Sequence, residues 1–319
     1  METCIIPAAF SGRRFFFAFI YSALFCVLFA NPSTLKAESF TDDMGRKVDV
    51  RPSPSRIVSL APHLTELLFT LGLGENVVGV TRYSDFPEEA RNIEKVGSYV
   101  KLDLERIVSL SPQLVLATAD GNPKAVVDKL TEVGIPVYVI NTEGIDDIYG
   151  NIRSIGEVTG KSVEAHDVAM RLEKRINSIV EKVKGLEKPR IFIQLGIDPL
   201  YTAGKNTFVD DLIRLAGGRN IAGDIGIKYP VYSREELLNR APQIIFSTIM
   251  GSEAAVDTEN FWKRWPSIPA VSNGRIYHVD PDLLNRPSIR IADGLEIIAR
   301  KIQPQVFEEP EKKTEEIAR

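Results

Sequence analysis

Cysteine and histidine are scarce in this sequence: of 319 residues, two are Cys and three are His. Both cysteines, Cys4 and Cys26, lie in an N-terminal apolar segment, so the rest of the chain has no thiol. That excludes disulfides, thiolate metal sites and a cysteine nucleophile, and leaves stability to core packing. His63, His166 and His278 form no His-Glu-x-x-His pair, and no Gly-x-Ser-x-Gly elbow occurs. Gly204-Lys205-Asn206-Thr207 falls short of a phosphate loop, because Pro199 stands where its first glycine belongs and no Ser or Thr follows Lys205 directly. A net charge of −4 lacks the basic excess that nucleic acid or an anionic membrane requires. At 44% hydrophobic and 26% charged residues the composition is that of a globular protein, long enough for two cored domains.

The longest apolar run, Phe15 to Ala30, is short of the ~20 residues that span a bilayer. Arg13-Arg14 precede it, and Leu35-Lys36-Ala37 offers small-residue cleavage chemistry before Glu38. Residues 1–37 are therefore expected to be a secretory signal peptide, cut after Ala37 or Ala30; an uncleaved anchor is the alternative. Arg13-Arg14-Phe15-Phe16 has the look of a twin-arginine signal, with Gly12 at the usual hydroxyl position. The bulky Leu24-Phe25 before Cys26 argues against lipid attachment. At the other end, Glu308 to Arg319 is a charged tail expected to be disordered.

What the chain does have is a stretch free of Gly and Pro from Lys161 to Lys184, in a sequence with 22 Gly and 19 Pro. Val163, Ala165, Val168, Ala169, Leu172, Ile176, Ile179, Val180 and Val183 recur at the spacing of one helical face. Thr159-Gly160 marks a start and Gly185 with Pro189 a stop. Before this helix, Phe40 to Val50 predicts a hairpin around Asp-Asp-Met-Gly. Strands follow at Arg56–Leu60, Asn76–Val80, Gln113–Ala117 and Val137–Ile140, with helices at Leu64–Leu71, Leu104–Leu110 and Pro123–Val133. Ala61-Pro62-His63 reads as a loop. After the helix the alternation restarts, with strands at Arg190–Leu195, Gln243–Ser247 and Arg275–Val279. Helices are expected at Thr207–Leu215, Glu235–Arg240, around Trp262–Trp265 and at Ile289–Ile302. Alternating strands and helices predict an α/β fold with parallel sheets.

The restart is close to a repeat. Leu104-Glu105-Arg106-Ile107 leads to Ser111-Pro112-Gln113 and a strand; Arg234-Glu235-Glu236-Leu237 leads at the same spacing to Ala241-Pro242-Gln243 and a strand. The expected organisation is an N-terminal lobe over 38–158, a backbone helix over 159–186 and a C-terminal lobe over 187–307. Two Rossmann-like lobes of matching plan place a ligand between them, at the carboxyl ends of the strands. The loops there carry Pro62, His63, Tyr83, Tyr99, Tyr201 and Tyr229. Tyrosines offer a wide flat contact with one polar handle, which as a set suits a large ring; singly, each is better explained by half-buried core packing. Asp282 and Arg286, flanking Leu283-Leu284 after the last strand, either hold polar groups of a ligand or form a solvated turn.

Four segments carry a resemblance: Arg56 to Pro87, Leu104 to Ala117, Phe192 to Asp224 and Tyr232 to Phe246. Together they resemble the periplasmic substrate-binding proteins of metal-chelate ABC importers. The Pro-His-Leu-Thr-Glu opening is common to siderophore, haem and cobalamin binders, whereas Gly-Ile-Asp-Pro-Leu-Tyr-Thr-Ala-Gly-Lys is similar to the cobalamin branch. The resemblance implies two α/β lobes on a rigid helix, a periplasmic location, no catalysis and no resident cofactor or protein-supplied metal ligand. It implies cobalamin or a related corrinoid as ligand, held by a monomer at Pro62, His63, Tyr83, Tyr99, Tyr201, Tyr229, Asp282, Leu283 and Arg286. Glu105 and Glu235 match the carboxylates that dock such proteins onto a permease dimer. Leu283 and Thr118 depart from tryptophans of that branch, and His63 from a small polar residue. Haem, with His63 or a tyrosine on its iron, and a ferric siderophore are the competing ligands. An enzyme using Asp85 and His63, or a sensor without a transporter, are the competing classes.

Overall fold

A computed structural model of the chain describes Met1 and residues 36–249 and 254–307. Residues 2–35 of the expected signal segment, with both cysteines, and the charged tail lie outside the described residues. The chain enters through an antiparallel hairpin, β1 (Glu38–Thr41) and β2 (Lys47–Val50). Asp42 closes its turn by accepting from the backbone N–H groups of Met44 and Arg46.

The N-terminal half then builds β3 (Ile57–Ser59), α1 (Pro62–Thr70), β4 (Val77–Val80), α2 (Leu104–Ser109), β5 (Leu114–Thr118), α3 (Lys124–Glu132) and β6 (Val137–Ile140). Pro62 and His63, expected in a loop, belong to the first turn of α1. Proline suits that position because its fixed φ is helical and its missing N–H would be unpaired anyway. Two helices follow, α4 (Ile145–Thr159) and α5 (Ser162–Val183). The C-terminal half supplies β7 (Arg190–Gln194), α6 (Phe208–Leu215), β8 (Arg219–Asn220), α7 (Arg234–Arg240) and β9 (Ile244–Ser247). It ends with α8 (Ala254–Trp262), α9 (Pro269–Ser272), β10 (Ile276–His278), α10 (Pro281–Leu284) and α11 (Ile291–Ile302). Trp265 lies beyond α8, not within it as its proximity to Trp262 suggests.

Both sheets are parallel and four-stranded, ordered β4-β3-β5-β6 and β10-β9-β7-β8. With β3 matched to β7, β4 to β8, β5 to β9 and β6 to β10, the two orders are the same. The repeat in sequence is thus a repeat in topology. Its local detail recurs as well. Asp103 caps α2 by accepting from Arg106 N–H at 3.0 Å, and Ser233 caps α7 by accepting from Glu236 N–H at 3.1 Å. After each helix a non-glycine residue takes the left-handed conformation directly before the proline, Ser111 at φ 47° and Ala241 at φ 44°. Gln113 then accepts from Ser55 N–H at 2.7 Å, and Gln243 from Arg190 N–H at 2.9 Å. Arg56 Nε donates to the Leu110 carbonyl, as Arg190 Nε donates to those of Arg240 and Ala241.

Helix α5 is the long helix expected, with Ala165, Val168, Ala169, Leu172, Ile176, Ile179 and Val183 buried, while Val163 at its start is exposed. Its partner α4 was not anticipated, because Gly150 and Gly156 interrupt an otherwise periodic Ile148, Ile152, Ile155. Gly156 is what lets the two helices touch: a Cβ there would overlap the Cβ of Ala165. Gly160, expected to start α5, instead ends α4 in the left-handed conformation at φ 74°. One core runs through both halves by way of α4, α5 and α11, and a smaller cluster lies on the other face of each sheet.

The halves are also joined by charge. Glu66 of α1, its side chain 1% exposed, accepts two hydrogen bonds from the guanidinium of Arg290, at 3.0 and 2.8 Å. Arg290 also lies over the Phe86 ring, 4.1 Å from its centroid. Removing one partner strands the other charge in the interior, so Arg290→Met is expected to cost about 3–5 kcal/mol in denaturant unfolding. The double variant E66L/R290M should recover most of that loss. A double variant no more stable than R290M would show that the pair does not carry this role.

Candidate ligand-binding site

The strands of the first sheet end on one side, and the segments beyond them form the floor of a cleft. Pro62 and His63 follow β3, Tyr83 follows β4, Thr118 ends β5 with Asp120 just after it, and Thr142 follows β6. From the second half come Phe208 at the start of α6, Tyr229 ahead of α7, and Pro281, Asp282, Asn285, Arg286 and Pro287 after β10. These groups and Tyr99 enclose a cavity of about 620 Å³, open at its mouth. Seven of the nine residues singled out in the sequence line it. Tyr201 does not: its ring packs against Gly196, and its backbone bridges to Val231. Leu283 does not either. The single turn of α10 sets Asp282, Asn285 and Arg286 on one side, at spacings of three and four, and turns Leu283 away. Phe208, Thr142 and Asn285 were missed. Phe208 had a legible signal, since it follows the Thr207 cap and opens a helix, but nothing local distinguished it from a core residue.

Aromatic rings set the character of the cavity. Tyr99 lies across Gly121, which occupies φ 117° and has no room for a Cβ beneath the ring. Asn122 fixes the same corner by donating to the carbonyls of Tyr99 and Leu60 while accepting from Thr118 N–H. Tyr83 is 55% exposed and Tyr229 40% exposed, at the rim, whereas Phe208 is buried. Burial, helped by the Asp120 carboxylate, pushes the Tyr229 hydroxyl up to about 12; the same two causes raise Tyr99 further. Both phenols are therefore neutral donors and acceptors at any physiological pH.

Charge in the cleft is sparse and mutually engaged. Among the described lining residues, Arg286 is the only cation. It pairs with Asp282 at 2.7 Å, lies 3.4 Å from Asp85 and 3.5 Å from Glu66, and donates to the Tyr83 carbonyl. Arg286 thus extends the Glu66–Arg290 pair to the cavity wall and holds the Tyr83 loop of one half against the α10 segment of the other. On the opposite flank, Lys228 pairs with Glu143 at 2.8 Å, and Asp211 accepts from Ile145 N–H. Burial, with a smaller contribution from Arg286, lowers His63 to about 4, so its imidazole is neutral. Its Nε2 is buried and without a hydrogen-bond partner. Among the described residues no group of three or more His, Cys, Asp or Glu side chains is placed to hold a metal ion. The arrangement suits a broad ring with neutral polar substituents: flat rings to lie against it, hydroxyls and amides to bond its edges, and little charge to attract an ion.

Comparison with known proteins agrees with this geometry. Residues 57–283 match the family described as periplasmic binding protein. A vitamin B12-binding protein of Vibrio parahaemolyticus is 31% identical over 241 residues, covering 75% of this chain and 86% of that protein. Among solved structures, the periplasmic vitamin B12 binding protein BtuF of Vibrio cholerae aligns with a TM-score of 0.72 at 30% identity, over 81% of this chain and 99% of that one. The periplasmic heme-binding protein RhuT of Roseiflexus sp. RS-1 aligns with the same TM-score at 26% identity, over 79% of this chain and 99% of that one. With more than half its length matched and two like-folded halves meeting at a cleft, the chain belongs to the periplasmic binding protein family.

Proposed function

We propose that this protein captures cobalamin or a related corrinoid in the cleft and delivers it to an ABC importer, without catalysing a reaction. The protein reaches the periplasm by way of a cleaved N-terminal signal and works as a monomer. The observation that carries the reading is the cavity wall: Tyr83, Tyr99, Tyr229 and Phe208 around a space where Arg286, the one arginine among the described lining residues, is already committed to carboxylates. A corrinoid brings its own nitrogen ligands to cobalt and a rim of neutral amides. It therefore needs flat contact and hydrogen bonds more than counter-charge. The vitamin B12-binding relatives support the same choice. A haem or a ferric siderophore brings carboxylates or a net negative charge, which Asp120 and Asp282 in the wall oppose. For haem iron, Tyr99 or Tyr229 would have to ionise from an already raised value, and the His63 Nε2 is enclosed.

Within the cleft, Tyr83 and Tyr229 cover the ring from the two halves, Tyr99 and His63 form the floor, and Asp282 and Arg286 bond the amides. Tyr201 and Leu283, from the set the resemblance implied, act behind this wall. Outside it, Glu105 and Glu235 are both exposed, each the second residue of a helix in one half, at matching points of the repeat. They dock the loaded protein onto the two subunits of the permease. Attraction of this kind guides approach and weakens with salt.

Titration of purified protein with cyanocobalamin, haemin and a ferric siderophore should rank cyanocobalamin first, with one site. Y83A and Y229A should each weaken it about tenfold. Tighter binding of haemin, with an iron–ligand band in the visible spectrum, would replace this reading with the haem one. The variant E105K/E235K should bind cyanocobalamin normally yet abolish its uptake by cells; unimpaired uptake would remove the docking role. The imidazole of His63 adds a pH signature. Its folded value, about 4, lies below the ordinary 6.5, so the neutral form is favoured by folding. That stability is complete above the unfolded value and is lost as pH falls toward the folded one. Between about pH 7 and about pH 5 the wild type should lose roughly 2 kcal/mol more stability than His63→Leu, read from denaturant midpoints.

A further inference from the structure

The two docking helices share more than a carboxylate. Three residues beyond Glu105 and Glu235, on the same helical face, stand Val108 and Leu238, which are 40% and 41% exposed. Between the members of each pair a buried residue anchors the helix to its lobe, Ile107 at 0% and Leu237 at 1% exposure. Among the described residues neither glutamate makes an ion pair, whereas the neighbouring charged residues are engaged: Arg106 with Glu94 and Asp103, Glu236 with Arg240, and Arg234 over the Trp265 ring. Each lobe thus offers one free carboxylate beside one exposed apolar side chain. Both helices are held by the same devices: a side-chain cap, a left-handed residue before proline, a glutamine that accepts a backbone N–H, and an arginine bonded to the carbonyls at the helix end.

We infer that Val108 and Leu238 form the apolar half of two equivalent docking contacts. The partner is then a membrane protein that repeats one surface twice, each copy presenting a cation next to an apolar recess. Charge complementarity argues for that occupant, because a carboxylate left unpaired beside an exposed aliphatic group matches a basic group rimmed by apolar surface. The duplication argues for a partner with two-fold symmetry, since two pseudo-equivalent patches on one chain are met most simply by two identical subunits. The carboxylates guide approach, and the aliphatic pair adds burial that is insensitive to salt. This inference rests on the delivery reading above.

The test measures binding of fluorescently labelled protein to inner-membrane vesicles from the cells to which the chain is native, stripped of their own copy. Binding of cyanocobalamin by calorimetry is followed in parallel. V108S/L238S should bind vesicles at least about tenfold more weakly than wild type, with cyanocobalamin affinity and thermal midpoint unchanged. V108S and L238S alone should lose similar amounts, and the apolar V108M/L238M should retain docking. The salt dependence of V108S/L238S should match that of wild type, whereas E105Q/E235Q should lose it. V163S, which alters an exposed valine on α5 away from both docking helices, should bind as wild type does. Vesicle binding by V108S/L238S as tight as wild type, dependence on only one of the two residues, or an equal loss in V163S would overturn the inference alone. A wild type that takes cyanocobalamin but does not bind the vesicles would overturn the delivery reading, and this inference with it.

Discussion

A buried ion pair between residues 224 positions apart in the chain, Glu66 and Arg290, is the constraint around which the site is assembled. Two charges leave water there, a cost recovered only when both are present and well bonded. Arg290 meets the carboxylate with two hydrogen bonds and is covered by Phe86, and Arg286 stands alongside. The pair fixes α1 of the first half against the segment that leads into α11 of the second. Everything that lines one wall of the cleft hangs from it: Pro62 and His63 in the first turn of α1, Tyr83 through its carbonyl, and Asp282 through Arg286. The neighbouring hydroxyls reinforce the same corner, since Thr65 bonds Ser59 and Ser84, and Ser84 bonds Thr81. The Pro-His-Leu-Thr-Glu opening of α1 thereby acquires a physical meaning: proline starts the helix, threonine ties it to the strand and loop, and glutamate ties it to the other half.

That economy of charge also shapes what the cleft accepts. Arginine at a cavity wall ordinarily invites an anion. Here Arg286 is shared among Asp282, Asp85 and Glu66, and its residual field is small. Burial and the Asp120 carboxylate keep the Tyr99 and Tyr229 phenols protonated, and burial keeps the imidazole neutral. The result is a wall of rings, hydroxyls and amides with little net charge, so recognition depends on shape and neutral hydrogen bonds. The proposed docking function places steering by charge elsewhere, on the exposed Glu105 and Glu235. Under that proposal, separating the two tasks lets a ligand be held without attracting ions into the pocket, while docking stays responsive to salt.

The duplicated scaffold makes the second task possible. Its two copies agree in strand order, in helix caps and in the left-handed residue that precedes each proline. They differ at the cleft: the first lobe offers strand ends and α1, the second the α10 segment and the residues ahead of α7. Equal outer faces and unequal inner faces agree with the proposed delivery to a partner that is repeated, of a cargo that is not.

Much of this was legible from the chain alone, because it depends on neighbours in sequence. The period of Val168, Leu172, Ile176 and Ile179 made α5 a helix wherever it packed. The spacing from Glu105 to Pro112, repeated from Glu235 to Pro242, set two carboxylates at the second position of two capped helices. Helix α4 escaped because Gly150 and Gly156 interrupt its apolar period, and only the approach of Ala165 shows why a glycine belongs at 156. Which tyrosines meet was decided by the tertiary structure. Tyr201 and Tyr229 look alike locally, yet one packs on Gly196 and the other reaches the cavity, as do Phe208 and Thr142, which carried no distinguishing mark. Local periodicity and capping act over one or two turns, so sequence determines the elements and their outward faces. Convergence at a cleft depends on contacts between residues hundreds of positions apart, such as Glu66 and Arg290, and those exist only once the halves have docked.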